Sequence, residues 1–173
     1  MKRFEFLFVL ILTAMSFNLN AQSLKGVPVK DRLFFGGSLG ASFGQYTYVE
    51  LSPVVGYRVT EKLHAGVGIT YMYYNDKYWH YEESVYGGNV FARYFFMESV
   101  FGIVQGGALR GNGINEMGQI EKMTIPNLWL GVGYAQRLGG NGALMFSLLY
   151  DIIDDRNSFY QNPLIQIGFG FGF

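Results

Sequence analysis

The sequence predicts an all-β fold, an eight-stranded antiparallel up-and-down transmembrane β-barrel, and three observations carry that expectation. Apolar residues alternate with small or polar ones in segment after segment, with no 3.6-residue stripe beyond the N-terminus. Half of the 173 residues are hydrophobic and 18% are aromatic, an excess that suits a surface facing lipid. The chain ends Gln166-Ile167-Gly168-Phe169-Gly170-Phe171-Gly172-Phe173, a strand with one oily face and one nearly bare face. A water-soluble core would rarely close on such a segment.

The first 21 residues read as a secretory signal peptide: a basic Met1-Lys2-Arg3, an apolar run from Phe6 to Met15, and a small residue, Ala21, at the cut. The run is shorter than the roughly 20 residues a spanning helix needs. The mature domain is therefore expected to be one barrel over residues 22–173; an uncleaved anchor helix is the alternative. Strands at about 33–44 and 46–59 meet near Gly44-Gln45-Tyr46. Pro53 falls on the lipid-facing parity of the second, where it marks a bulge or a weak point in pairing.

The third strand, 63–74, sets Leu63, Ala65, Val67, Ile69, Tyr71 and Tyr73 against His64, Gly66, Gly68, Thr70, Met72 and Tyr74. A fourth is expected at 84–96. A fifth at 99–110 follows the tight Met97-Glu98 connection, although its alternation is poor. The sixth, 127–138, alternates Leu128, Leu130, Val132 and Tyr134 with Trp129, Gly131, Gly133 and Ala135. The seventh, 143–153, alternates Leu144, Phe146, Leu148, Tyr150 and Ile152 with Met145, Ser147, Leu149 and Asp151, and the eighth is 164–173. Connections at 60–62, 97–98 and 139–142 are tight, whereas 75–83, 111–126 and 154–163 are longer and polar. Short turns on one side and long loops on the other are the habit of outer-membrane barrels.

Composition narrows the function classes. There is no cysteine, hence no disulfide framework and no thiolate metal site. Lysine plus arginine equals aspartate plus glutamate at 13 each. Removal of Lys2, Arg3 and Glu5 with the signal leaves 11 against 12, with no basic field for nucleic acid. Only His64 and His80 are available as bases. His80 with Ser84 and Glu82 matches no hydrolase pattern, and Asp154-Asp155 with Asn157 reads as a solvated acidic loop more readily than as a cation site. Gly131-Val132-Gly133 opens no helix and is no nucleotide fingerprint. No enzyme, cofactor or metal is expected.

The ending Gln166, Gly168, Phe171, Phe173, joined to a signal peptide and eight amphipathic strands, resembles the small outer-membrane barrels of the OmpA/OmpX type, over essentially the whole mature chain. The resemblance implies export to the outer membrane of a Gram-negative bacterium, contact with lipid and lipopolysaccharide, and reading of the last strand by the barrel-assembly machinery. It also implies a barrel with no periplasmic domain after it.

If the apolar parity faces lipid, the other parity fills the lumen with Glu50, Arg58, His64, Asn89, Arg93, Arg137, Asp151 and Gln166. Buried charges need partners, so Glu50 and Asp151 are expected to pair with some of the arginines in a network that plugs the barrel. The inward glycines either open space for a ligand or let large neighbours such as Trp129 fill it. Tyr46, Tyr48, Tyr71, Tyr73, Tyr78, Trp79, Tyr81, Tyr86 and Tyr150 are expected in an external girdle, and Tyr57, Tyr94, Phe96, Phe101, Tyr134 and Phe173 in a periplasmic one. Three functions remain: a structural or interaction protein working through its external loops, with a possible envelope protein as partner; a narrow channel or small-ligand carrier; and a soluble lipocalin-like barrel with its oily face inside.

Overall fold

The computed structural model describes residue 24 and residues 26–42, 46–76, 78 and 81–172. The expected signal peptide, the first hairpin turn, Trp79, His80 and Phe173 lie outside these residues. A 3-10 turn at Val29–Arg32 leads into β1 (Leu33–Ser42), β2 (Tyr46–Arg58), β3 (Leu63–Asp76) and β4 (Tyr81–Phe95). There follow β5 (Val100–Ile114), β6 (Ile120–Arg137), β7 (Gly142–Asp151) and β8 (Leu164–Phe171). Each strand pairs antiparallel with its neighbour in sequence and β8 returns to β1, closing an eight-stranded up-and-down barrel. Closure pairs the backbone of every strand on both sides except along part of the four-pair β1–β8 seam, so a cysteine-free chain can satisfy most of its backbone without a covalent staple.

Period two decides which side chain faces where. Val67 and Ile69 on β3, Val90 on β4, Val132 on β6 and Ile165 on β8 all point outward, each more than half exposed. The alternate residues point inward, and Phe34, Phe101, Trp129 and Leu149 are almost completely enclosed. The apolar parity therefore lies on the outside, opposite to what a lipocalin-like soluble barrel requires. Outward residues between Tyr57, Tyr94 and Tyr134 at the short-turn end and Tyr71, Tyr86 and Tyr150 at the long-loop end carry no charge until Arg110, which pairs with Tyr86. An uncharged band bounded by tyrosines is the exterior of a membrane-spanning barrel. Two girdle expectations are corrected: Tyr48 and Phe101 share the parity of Glu50 and Ile103, and both face the lumen.

The longest departure is the β5–β6 hairpin. The polar stretch 111–126 was expected to be a loop, but the ladder runs without a break to Ile114↔Ile120, leaving only residues 115–119 as a tip. Its residues read as a loop because three of them are glycine and two are asparagine, yet both strands find partners in each other. Beyond Arg110 on β5, and before Trp129 on β6, no neighbouring strand continues the ladder. The hairpin thus rises above the barrel as a two-stranded ribbon. Pro53 keeps register with Gly37 on β1, but β2 and β3 skip the pairs between Leu51↔Tyr71 and Val54↔Gly68. The proline costs ladder bonds on one side without forming a bulge.

Inward glycines are spaces for rings. A Cβ on Gly56 would lie 2.0 Å from the Phe34 ring, and one on Gly133 would lie 2.3 Å from the Phe101 ring. Of the two readings of these glycines, the filled lumen is the one observed.

Candidate functional site: the barrel interior and its two ends

Every lumen residue expected from parity lies on the inward side of its strand, but the charges do not meet. Glu50 on β2 and Asp151 on β7 stand toward the long loops, while Arg58, His64, Arg93 and Arg137 stand toward the short turns. Eight residues separate Glu50 from Arg58 on the same strand, roughly 26 Å of extended chain, which no side chain spans. The expected carboxylate–arginine network is therefore replaced by separate local solutions.

Glu50 is held by hydroxyls. Tyr48 Oη donates to its Oε2 at 2.5 Å, and Ser52 Oγ and Tyr160 Oη donate to Oε1 at 2.9 and 3.0 Å. Asp151 is a loop anchor: its Oδ1 accepts the backbone N–H groups of Leu128 and Ile153 at 3.0 and 3.1 Å. Asn162 bridges the backbone N–H and carbonyl of Asp151, both at 3.0 Å. Arg93 lies over the Phe91 ring at 4.5 Å and 5.7 Å from that of Phe101, and Nη1 donates to Met145 Sδ at 3.2 Å. Ring faces and a thioether take the place of a carboxylate around this cation. His64 packs between Phe34 and Phe95, with ring centroids 5.6 and 4.9 Å away.

The middle of the lumen is filled. Phe95, Phe101, Ile103, Trp129, Met145 and Leu149 form one buried cluster. The cavity beside it, which Asn89, Arg93 and Gln166 line, measures about 40 Å³, room for on the order of three water molecules. A wider vestibule of about 430 Å³ opens at the short-turn end, with Phe95, Ala135 and Ala143 against Arg58, Lys62, His64 and Arg137. At the other end the segment between β7 and β8 folds inward. Phe159 packs on Met72, Val85 and Leu109, and Tyr160 meets Trp129 edge-on at 5.7 Å. Burial, then the neighbouring Glu50 carboxylate, push the Tyr160 phenol well above the ordinary tyrosine range, so it remains a donor. Sequence reading placed 154–163 in solvent and missed Tyr160; an inward ring in an aperiodic loop leaves no signal in alternation.

The remaining candidates have local partners. Ser84 Oγ lies 3.2 Å from Tyr71 Oη, and Glu82 accepts from Tyr73 Oη at 3.1 Å, both on the outer face of the barrel. Asp154 accepts from Asn162 at 2.9 Å, and Asp155 accepts the Asn157 N–H at 2.8 Å, a turn-building arrangement. Of the expected assembly signal, Gln166 and Gly168 face inward and Phe171 outward.

No protein-family model matches the chain, and comparison with curated proteins gives no match. Among solved structures the chain is similar to the N-terminal β-barrel domain of Pseudomonas aeruginosa OprF, at 15% identity and a TM-score of 0.47, over 81% of this chain and 96% of that one. It is similar also to Neisserial surface protein A, at 17% identity and a TM-score of 0.45, over 82% and 94%. A third is a de novo designed transmembrane β-barrel, at 19% and 0.40, over 80% and 92%. The chain's own strand order makes it a small closed eight-stranded barrel.

Proposed function

We propose that the protein is an integral outer-membrane barrel that conducts nothing and acts as an anchor, presenting its β5–β6 ribbon to a partner in the envelope. The observation that carries this reading is the ribbon tip. Ile114, Met117 and Ile120 are 56%, 85% and 69% exposed, above the tyrosine girdle where lipid does not cover them. Large apolar groups held in water mark contact surfaces. The tip is also braced: Asn157 bonds the N–H and carbonyl of Ile114 at 3.0 and 3.3 Å, and Glu83 accepts the N–H of Asn112. A preformed, rigid surface loses little entropy on binding.

The test is a pull-down from mild detergent with the parent chain and with Ile114, Met117 and Ile120 all changed to serine. An envelope protein retained by the first and lost by the second, with unchanged heat-modifiable mobility, supports the proposal. Equal capture by both refutes the ribbon as the contact. Steady conductance of the parent chain in a planar bilayer refutes the anchor reading in favour of a channel, and extraction without detergent refutes the membrane barrel altogether.

A further inference from the structure

The closing seam of the barrel is incomplete. β1 and β8 share only four pairs, Phe35↔Phe171, Gly36↔Gly170, Gly37↔Phe169 and Ser38↔Gly168. Toward the long loops the backbone of β1 continues through Leu39–Ser42 paired with β2 alone, and that of β8 continues through Leu164–Ile167 paired with β7 alone, while the Gln166 side chain donates to Ser38 Oγ at 3.3 Å across the seam. Two strand edges therefore face each other over four residues, in the outer half of the lipid-facing band. Unpaired backbone groups in hydrocarbon are costly, and a barrel normally avoids them by closing. Here the gap is a cavity of about 220 Å³. Its lipid-side lip is Leu39, Ile165 and Ile167, exposed by 62%, 75% and 52%, and its inner wall holds Tyr48, Glu50 and Tyr160.

Glu50 gives that opening a chemical preference. Glu50 is 8% exposed as a residue, and its carboxylate is held by hydroxyl hydrogen bonds, with no lysine or arginine paired to it among the described residues. Three donors occupy three of about four acceptor positions. A buried anion without a cation is an unfavourable arrangement that a positively charged group would relieve. The bare wall opposite is Gly40, where a Cβ would stand 3.3 Å from the Tyr48 ring and 3.7 Å from Glu50 Oε2. We propose that the β1–β8 gap is a lateral portal that admits one amphiphile from the bilayer, its hydrocarbon chain against Leu39, Ile165 and Ile167 and its ammonium head on Glu50. The site rests on the membrane-barrel reading, which heat-modifiable mobility checks separately.

Trp129 touches Tyr160, which touches Glu50, so its fluorescence reports on the site. In the full chain carrying Trp79→Phe, reconstituted in neutral detergent, dodecylammonium is expected to change Trp129 emission saturably. Methylammonium and dodecyl sulfate are expected to leave it unchanged. Glu50→Gln keeps all three hydroxyl neighbours and should weaken the response at least tenfold; Gly40→Leu should abolish it by filling the portal. Equal responses from the parent and Glu50→Gln, or from dodecyl sulfate, overturn the proposal. A full response to methylammonium overturns the bilayer as the source. Should Glu50→Gln fail to fold, Leu39→Cys with Ile167→Cys in this cysteine-free chain allows the seam to be closed and reopened by oxidation and reduction. Binding that survives closure refutes the portal, and binding that returns on reduction supports it.

Discussion

An arginine placed on the outer face tests whether that face meets hydrocarbon, and the structure grades the answer by depth. Val132 points outward, 57% exposed, and pairs with Leu148 on one side and Gly102 on the other. Five residues separate it from Arg137 at the short-turn rim, roughly 17 Å of strand. At a tilt of about 40° that is roughly 13 Å along the barrel axis, half of a band about 25 Å tall. Val132→Arg therefore sits near the midplane and should cost about 2–4 kcal/mol, equivalent to about 30- to 900-fold in the folding equilibrium. Phe171 is equally outward, 60% exposed, but pairs with Gly142 beside a turn. Phe171→Arg should cost about 0–1 kcal/mol because its guanidinium reaches the interface. Urea unfolding of both variants in lipid vesicles, followed by tryptophan emission and gel mobility, measures the difference. Equal costs at the two positions would refute the assignment of this face to lipid.

Three further outcomes follow from the interior. Phe101→Ala removes a ring that Gly133 and Phe95 enclose, so it should destabilise the barrel by about 3–5 kcal/mol, read by urea midpoint. It should also admit measurable ion current, since the plug is that layer of rings; a silent variant would place the block elsewhere. Asn162→Ala leaves the backbone groups of Asp151 unpaired, at about 1–3 kcal/mol, and should expose residues 152–163 to protease while the strands stay protected. Tyr160 has its phenol pKa raised by folding, so its protonated form stabilises the native state fully below about pH 10 and that contribution is lost as pH rises above it. Unfolding free energy should be level to about pH 10 and then fall, and Tyr160→Phe should make the alkaline slope shallower.

What the sequence disclosed and what it concealed divide along locality. Side-chain parity is a property of adjacent residues, so Glu50, Arg58, His64, Arg93, Arg137 and Asp151 could be assigned to the lumen from alternation alone. Their partners depend on position along the axis and on stagger between strands, which no single strand records. Hence Arg93 settles on Phe91 and Met145 rather than on a carboxylate. Tyr48 and Phe101 were expected in the girdles because their residue type suits an interface, but parity, the more local rule, put both inside. The β5–β6 ribbon escaped notice because Gly111, Gly113, Glu121 and Lys122 lack apolar alternation; their ladder is set by the partner strand instead.

The seam joins these threads into one argument about where a barrel this small can hold a function. Its lumen is occupied by the same rings that stabilise it, so a through-passage would compete directly with folding. The vestibule at the short turns ends on Phe95, Ala135 and Ala143 and leads nowhere. The wall is a different matter. Eight strands need seven sequential seams and one closing seam, and only the closing one joins the two ends of the chain. Weakening it costs four pairs and leaves the rest of the ladder intact, as the ten-pair β1–β2 and eight-pair β7–β8 registers show. A lateral opening is thus the form of access that conflicts least with a filled interior, and the buried Glu50 stands directly behind it.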